Sequence, residues 1–390
     1  MKISKKVAGV EYAIRDIVIA ARQVEKQGKK ITYLNIGDPI QYGFQPPTNV
    51  KEAMIRSIKD GHNYYAQSEG LPELREAISL KEKAKGLSVS ADDVLVTNGV
   101  SEALDMVMSS IVEEGDEVLL PGPYYPPYAS YVRLHGGKPV EFAVDLKNST
   151  PDIDDIKSKI TPKTVAICLI SPNNPTGAVF SEKSLKQLVD IANEHDLYII
   201  CDEIYDQIVF DEKFTGIGKV SGDSPIILLN GFSKVHLMSG WRIGYIAFNN
   251  SSKLAPIREN LPKLARVRIS TNLPVQYAAL ESLRGPQEYV SEFVSDLKKR
   301  RDFVVKRLNS IPGLSCSNPK GAFYAFPKIE KNPYKTDQEF VMELLRKTGV
   351  LTVHGSGFGT QYGSGHFRMV FLPDLKTLDF ALNEIEKFCQ

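Results

Sequence analysis

Apolar residues along this 390-residue chain follow two alternating rhythms. Short runs rich in β-branched residues recur at Val94-Val96, Val118-Leu120, Val165-Ile170, Tyr198-Cys201, Ile226-Leu229 and Ile243-Phe248. Between several of them the apolar positions are spaced for a helix. Leu185, Leu188, Val189 and Ala192 stand at i, i+3, i+4 and i+7 behind Ser181, a residue suited to cap a first turn. Strands alternating with helices predict a largely parallel sheet covered on both faces, with ligands at the carboxyl ends of its strands. From about residue 287 the texture changes. A long charged amphipathic stretch through Arg300 and Arg301 leads to Ala322-Phe326, a helical segment near 337–347, Val350-Val353, Phe367-Phe371 and a closing helix. This pattern predicts a smaller α+β domain. The helical stretch at 11–27 precedes the first strand and is assigned to it. The expected division is therefore 48–286 for a large α/β domain, and 1–47 with 287–390 for the small one.

Hydrophobic residues at 42% and charged residues at 24% describe an ordinary folded protein. Forty-eight basic against forty-seven acidic side chains leave a net charge of +1, so no global field attracts nucleic acid or an anionic membrane. No apolar stretch approaches the length of a membrane span. Cys168, Cys201, Cys316 and Cys389 are far apart and form no CxxC or Cys/His cluster, which suggests neither a zinc site nor a disulfide framework. The expected compartment is a reducing cytoplasm, and no metal is expected.

Four segments carry candidate chemistry, each at the end of an apolar run. "TNGVSEALDMVM" opens an amphipathic helix after Val94-Val96, and its free N–H groups suit a phosphate, although Asn98 or Ser101 could equally serve as an ordinary cap. "SPNNPTG" follows Val165-Ile170 and has the composition of a turn. "CDEIYDQIVF" places Asp202 and Glu203 after a strand, where a carboxylate can hold a cationic ring nitrogen, with Tyr205 in reach. "NGFSKVHLMSGWRIGY" holds Lys234 beside Ser233, with Arg242 eight residues later. An amine that can form an imine, together with a guanidinium that can clamp a phosphate, is what pyridoxal phosphate requires.

Together with "LNIGDP" near residue 34 and "HFRMVF" near 366, these segments resemble, in order and over nearly the whole chain, the aminotransferases that bind pyridoxal 5'-phosphate on the aspartate-aminotransferase fold. The resemblance implies a large domain with a mostly parallel seven-stranded sheet between helices, plus the smaller α+β domain. It makes Lys234 the residue that binds the cofactor covalently and shuttles the proton, and Asp202 the partner of the ring nitrogen. Tyr205 and Asn174 are then hydrogen-bonded to the ring's phenolic oxygen, and Tyr125 is stacked on the ring. Val100, Ser101 and Glu102 present the phosphate-binding backbone, joined by Ser233 and Arg242. Several relatives carry a phosphate-binding serine where this chain has Gly231, a departure that bears on the role of Ser233. Arg368 matches the arginine that grips the substrate α-carboxylate, with Gly37 and Asn174 completing the pocket. Tyr65 matches a tyrosine that reaches the phosphate across a subunit interface, so a homodimer with shared sites is implied; it also reads as a half-buried aromatic at the start of a helix.

Finer features, "YAIRDIVIAAR", "LNIGDPIQYGFQPP", "PGPYYPPY" and "TVHGSGFG", are most similar to the alanine aminotransferases of microbes. In those, Tyr12 and Arg15 lie near the substrate; otherwise they read as a core aromatic and a surface charge. The expected reaction is L-alanine with 2-oxoglutarate giving pyruvate and L-glutamate by a ping-pong cycle. A transaminase preferring aspartate or aromatic donors and a lyase using the same cofactor are the rivals. A non-catalytic sensor of the cofactor is disfavoured because every catalytic position is filled.

Overall fold

The computed structural model describes residues 3–8, 10 and 12–390. Its centre is one eight-stranded sheet. From edge to edge the strands are Val94–Thr97, Gly244–Phe248, Ile226–Gly231, Tyr198–Asp202, Thr164–Ile170, Glu117–Gly122, Lys138–Asp145 and Thr150–Pro151. Gly244–Phe248 and the last strand run antiparallel to their neighbours, and the pairs in between are parallel. All six apolar runs of the sequence are strands of this sheet.

Two strands were not foreseen. Lys138–Asp145 lies near the edge and fully buries only Phe142, so its sequence lacks a continuous apolar run. Thr150–Pro151 pairs antiparallel with it and raises the count from the expected seven to eight. A two-residue strand ending in proline offers little for another chain to pair with, a common way to finish a sheet edge.

The strands bury alternate residues on opposite faces, as the two-residue period of a strand requires. Ile167 and Leu169 join Leu185, Leu188 and Val189 on one side. Ala166 and Cys168 join Ala103, Leu104 and Val107 on the other. The expected helix behind Ser181 is Glu182–Glu194, and the Ser181 hydroxyl accepts from the Ser184 N–H at 3.1 Å.

A separate cluster gathers the helices Ala13–Lys26, Glu288–Ser310, Asp337–Thr348 and Leu375–Cys389 around short strands. Residue 11 of the expected 11–27 stretch lies outside the described residues. The run Val350-Val353 breaks at Thr352. Val350–Leu351 pairs with Thr32–Tyr33, whereas Val353–His354 pairs with Phe367–Val370. Tyr324–Ala325 borders that last strand on its other side, which brings Tyr324 and Arg368 together.

Candidate active site

Thr97, Ile170, Asp202 and Gly231 all stand at the same end of the sheet, and pairing fixes them there: Ile170 opposes Asp202, and Gly231 opposes Gly244, which opposes Thr97. The loops leaving these residues surround a cavity of about 700 Å³. Val100, Ser101, Tyr125, Asn174, Asp202, Tyr205, Ser233, Lys234 and Arg242 line it from the sheet side. Gly37, Tyr12, Arg15 and Arg368 close it from the other side.

After its strand, Gly231 packs so closely on Gly244 that an added Cβ would lie 2.9 Å from that residue's Cα. A side chain there would require the backbone to shift, and Ser233 lines the cavity. Buried Phe232 and Met238 anchor the loop, with the Met238 N–H bonded to the Phe232 carbonyl, and Lys234 projects between them. The Lys234 amine donates to the Gly37 carbonyl at 2.6 Å. Burial lowers its pKa to about 8; Asp38 opposes this, and Arg368, Arg242 and Arg15 reinforce it.

Strand alternation separates the two acids of "DE". Asp202 faces the cavity, accepting from the Ile204 N–H at 2.9 Å and the Tyr128 hydroxyl at 2.7 Å. Burial raises its pKa to about 6 against those two hydrogen bonds. Glu203 points away, into a buried network in which Lys85 meets Glu203 at 2.6 Å, Glu82 at 2.7 Å and Asp206 at 2.9 Å. That network pins the base of the loop bearing Asp202 and Tyr205.

In "SPNNPTG" the two asparagines divide the work. Asn173 Oδ1 closes the turn by accepting from the Thr176 hydroxyl at 2.9 Å, while Asn174 Oδ1 accepts from Arg368 Nη1 at 2.9 Å. The segment is both a turn and a wall of the cavity. Arg368 is buried, with its guanidinium carbon 4.6 Å from the centre of the Tyr324 ring and 4.8 Å from that of Phe358. Nη2 donates to the Asn35 carbonyl, and Nε has no hydrogen-bond partner among the described residues. An arginine held this way, beside two aromatic rings, is prepared for a planar carboxylate.

At the opposite end, the helix Val100–Ile111 begins at Gly99, with φ of 80° and no side-chain cap. The cap expected from Asn98 or Ser101 is absent. A Cβ at Gly99 would come within 2.5 Å of Arg242 Nη2, so the glycine admits the guanidinium against the helix start. Uncapped N–H groups, Ser233 and Arg242 give this end of the cavity donors suited to an anion, while the Ser239 hydroxyl donates to Asp38 at 2.6 Å. Glu102 does not line the cavity; its carboxylate accepts from the Asn98 N–H at 2.7 Å and lies 3.7 Å from Arg268. Tyr65 is also outside the cavity and 78% exposed, so it is not the half-buried aromatic of the alternative reading. Tyr12 is hydrogen-bonded to Tyr125 at 2.8 Å between hydroxyls, and Arg15 is exposed at the cavity wall.

Sequence reasoning missed Asp38, Tyr128, Tyr131, Ser239 and Tyr324, all of which line the cavity. Tyr128 had a signal, being in the same "PGPYYPPY" segment as Tyr125, at the start of the helix Pro127–Leu134. Tyr324 sits in the apolar run "GAFYAF" and had none.

Comparison with known families matches residues 29–385 to the aminotransferase class I and II model. The chain belongs to the class I and II aminotransferase family. Its curated relatives include the glutamate-pyruvate aminotransferase AlaA of Escherichia coli, 38% identical over 99% of this chain and 97% of that one. The alanine aminotransferase of Mycobacterium tuberculosis is 36% identical over 99% of this chain and 92% of its own. The solved alanine aminotransferase of Pyrococcus furiosus superposes with a TM-score of 0.97, at 50% identity, covering 100% of this chain and 99% of that one.

The cofactor of this aminotransferase is pyridoxal 5'-phosphate, and the cavity suits it. Donors gather at one end with the close Gly99–Arg242 contact behind them, a buried carboxylate stands at the other, and an amine of depressed pKa lies within reach. A molecule with a phosphate, a basic ring nitrogen and an aldehyde has a partner for each group. Among the described residues no helix is long and apolar enough to cross a membrane.

Proposed function

We propose that this aminotransferase moves the amino group of L-alanine to 2-oxoglutarate, giving pyruvate and L-glutamate in two ping-pong halves. It would work as a cytoplasmic homodimer with a large domain of residues 48–286 and a small domain of 1–47 and 287–390. The observation that carries this reading is the pairing of Lys234 and Arg368 in one cavity, in a chain matched end to end by relatives named for alanine.

When bound, the cofactor supplies a carbonyl carbon that takes up the amino group and a ring that delocalises the electron pair left on the substrate α-carbon. The protein does the rest. Arg368 and Asn174 fix the α-carboxylate, which sets the α-hydrogen toward Lys234. With a pKa near 8, Lys234 Nζ has a substantial neutral fraction near pH 7 to 8 and serves as the base that moves that proton. Asp202 holds the ring nitrogen in its cationic form, and Tyr205 donates to the phenolic oxygen. Arg242, Ser233 and the helix start at Val100 and Ser101 anchor the phosphate. Glu102 contributes to this through its backbone, and Tyr65 would reach the partner's phosphate.

Aspartate-preferring relatives of one branch carry a further arginine shortly after an N-P segment. Here the corresponding residues 272–279 form a helix start capped by Asn272, with Leu273, Val275, Gln276, Ala278 and Ala279 buried and no arginine. Half-reactions followed by the cofactor's absorption test the reading: alanine and glutamate should convert the cofactor much faster than aspartate. Aspartate outrunning alanine would refute it.

A further inference from the structure

We propose that Tyr324 is a positioning residue joining the two halves of the site: its hydroxyl orients Tyr205 toward the cofactor, and its ring supports Arg368 for the substrate carboxylate. The inference rests on the roles proposed above for Tyr205 and Arg368.

Tyr324 is 2% exposed, and its place is fixed by the sheet. It opposes Val370, so Arg368, two residues away on the same face of that strand, is its diagonal neighbour. The ring lies 4.6 Å from the guanidinium carbon. The hydroxyl lies 2.8 Å from that of Tyr205, with the rings edge to face at 5.9 Å. Gly37 records the same constraint. Its φ is not in the left-handed region, yet a Cβ there would overlap the Tyr324 hydroxyl and approach the Phe323 ring to 2.9 Å. Only glycine lets the Gly37 carbonyl accept from Lys234 while Tyr324 stays in place. One phenol thus touches or shapes the partners of the cofactor oxygen, the carboxylate and the amine.

The direction of the relay follows from proton count. A tyrosine has one hydroxyl proton. Once Tyr205 gives its own to the cofactor's anionic oxygen, its oxygen is left to accept, and Tyr324 is the donor beside it. Burial pushes the Tyr324 phenol up to about 12, so it keeps its proton at physiological pH. In such a chain each bond strengthens the next.

The test uses the holoenzyme, reading the pH at which the absorption of the Lys234-bound cofactor switches and, separately, KM for alanine. Tyr205→Phe should move the switch to higher pH, because the cofactor's anionic oxygen loses a donor. Tyr324→Phe should move it the same way by a few tenths to about one unit, with KM nearly unchanged because the ring remains under Arg368. Tyr324→Leu should add a KM increase of about tenfold. In the double variant Tyr205→Phe/Tyr324→Phe, the second change should have no further effect on the switch. A shift with Tyr205→Phe and none with Tyr324→Phe would overturn the proposal alone. No shift with Tyr205→Phe would remove both the Tyr205 assignment and the relay built on it.

Discussion

The Tyr128 hydroxyl donates to Asp202 Oδ2 at 2.7 Å, and both side chains are buried. The carboxylate proposed to hold the ring cation therefore has a neutral donor fixed on one oxygen. The bond opposes the burial that raises Asp202 to about 6. With Tyr128→Phe the pKa should climb further, and a protonated carboxyl cannot hold a cationic nitrogen. We expect cofactor retention after dialysis to weaken about tenfold at pH 6 and much less at pH 8, where the carboxylate is ionised in either protein. A loss independent of pH would show that Tyr128 acts only through packing.

Lys234 makes the folded, cofactor-free protein less stable than it could be. Its pKa is about 8 when folded, against 10.5 for an ordinary lysine. Between those values the unfolded chain binds more protons, so stability rises with pH across that window and the deficit is complete below it. Lys234→Met should therefore be more stable than the parent near pH 7 by on the order of 3 kcal/mol, with the gap closing toward pH 10.5, while turnover is lost. Denaturant titrations at the two pH values check this, and a gap that does not vary with pH would contradict it. In the parent, borohydride should fix the cofactor to the peptide containing Lys234.

Tyr65 is 78% exposed and absent from the cavity wall of its own chain. If it serves the partner's phosphate, a dimer of one Tyr65→Ala chain and one Lys234→Ala chain contains one intact site and one doubly damaged site. Purified mixed dimers should then show about half the parent's activity per dimer. If they are no better than the Tyr65→Ala homodimer, the residue does not act across an interface.

Arg15 is an exposed cation of the cavity wall, in contrast to the buried Arg368. An exposed charge costs little to leave unused when alanine binds, yet can swing to the distal carboxylate of glutamate. Arg15→Ala should lower kcat/KM for glutamate and 2-oxoglutarate several-fold more than for alanine and pyruvate, a difference of about 1 kcal/mol. Equal losses for both pairs would take Arg15 out of this role.

The features legible in the sequence are those decided locally. Val165-Ile170 and Tyr198-Cys201 read as buried strands because a strand covered on both faces is apolar at every position. Ser181 read as a cap because capping spans three residues. Asp202 and Lys234 could be placed at the site because they stand at or just past the ends of strands that a parallel sheet aligns by its register, whereas Asn174 was assigned by the family resemblance. What no local pattern carries was settled by tertiary structure. Strand alternation and the Lys85 network turn Asp202 into the cavity and Glu203 out of it. The close approach of Gly244 crowds any side chain at 231, and Arg242 packs against the uncapped helix start at Gly99. Lys138–Asp145 escaped notice because a strand near the edge of the sheet, partly exposed, need not be apolar throughout. Tyr324 looked like core and largely is; its second purpose exists only because pairing between Tyr324–Ala325 and Phe367–Val370 sets its ring under Arg368 and its hydroxyl against Tyr205, a residue 119 positions away in sequence.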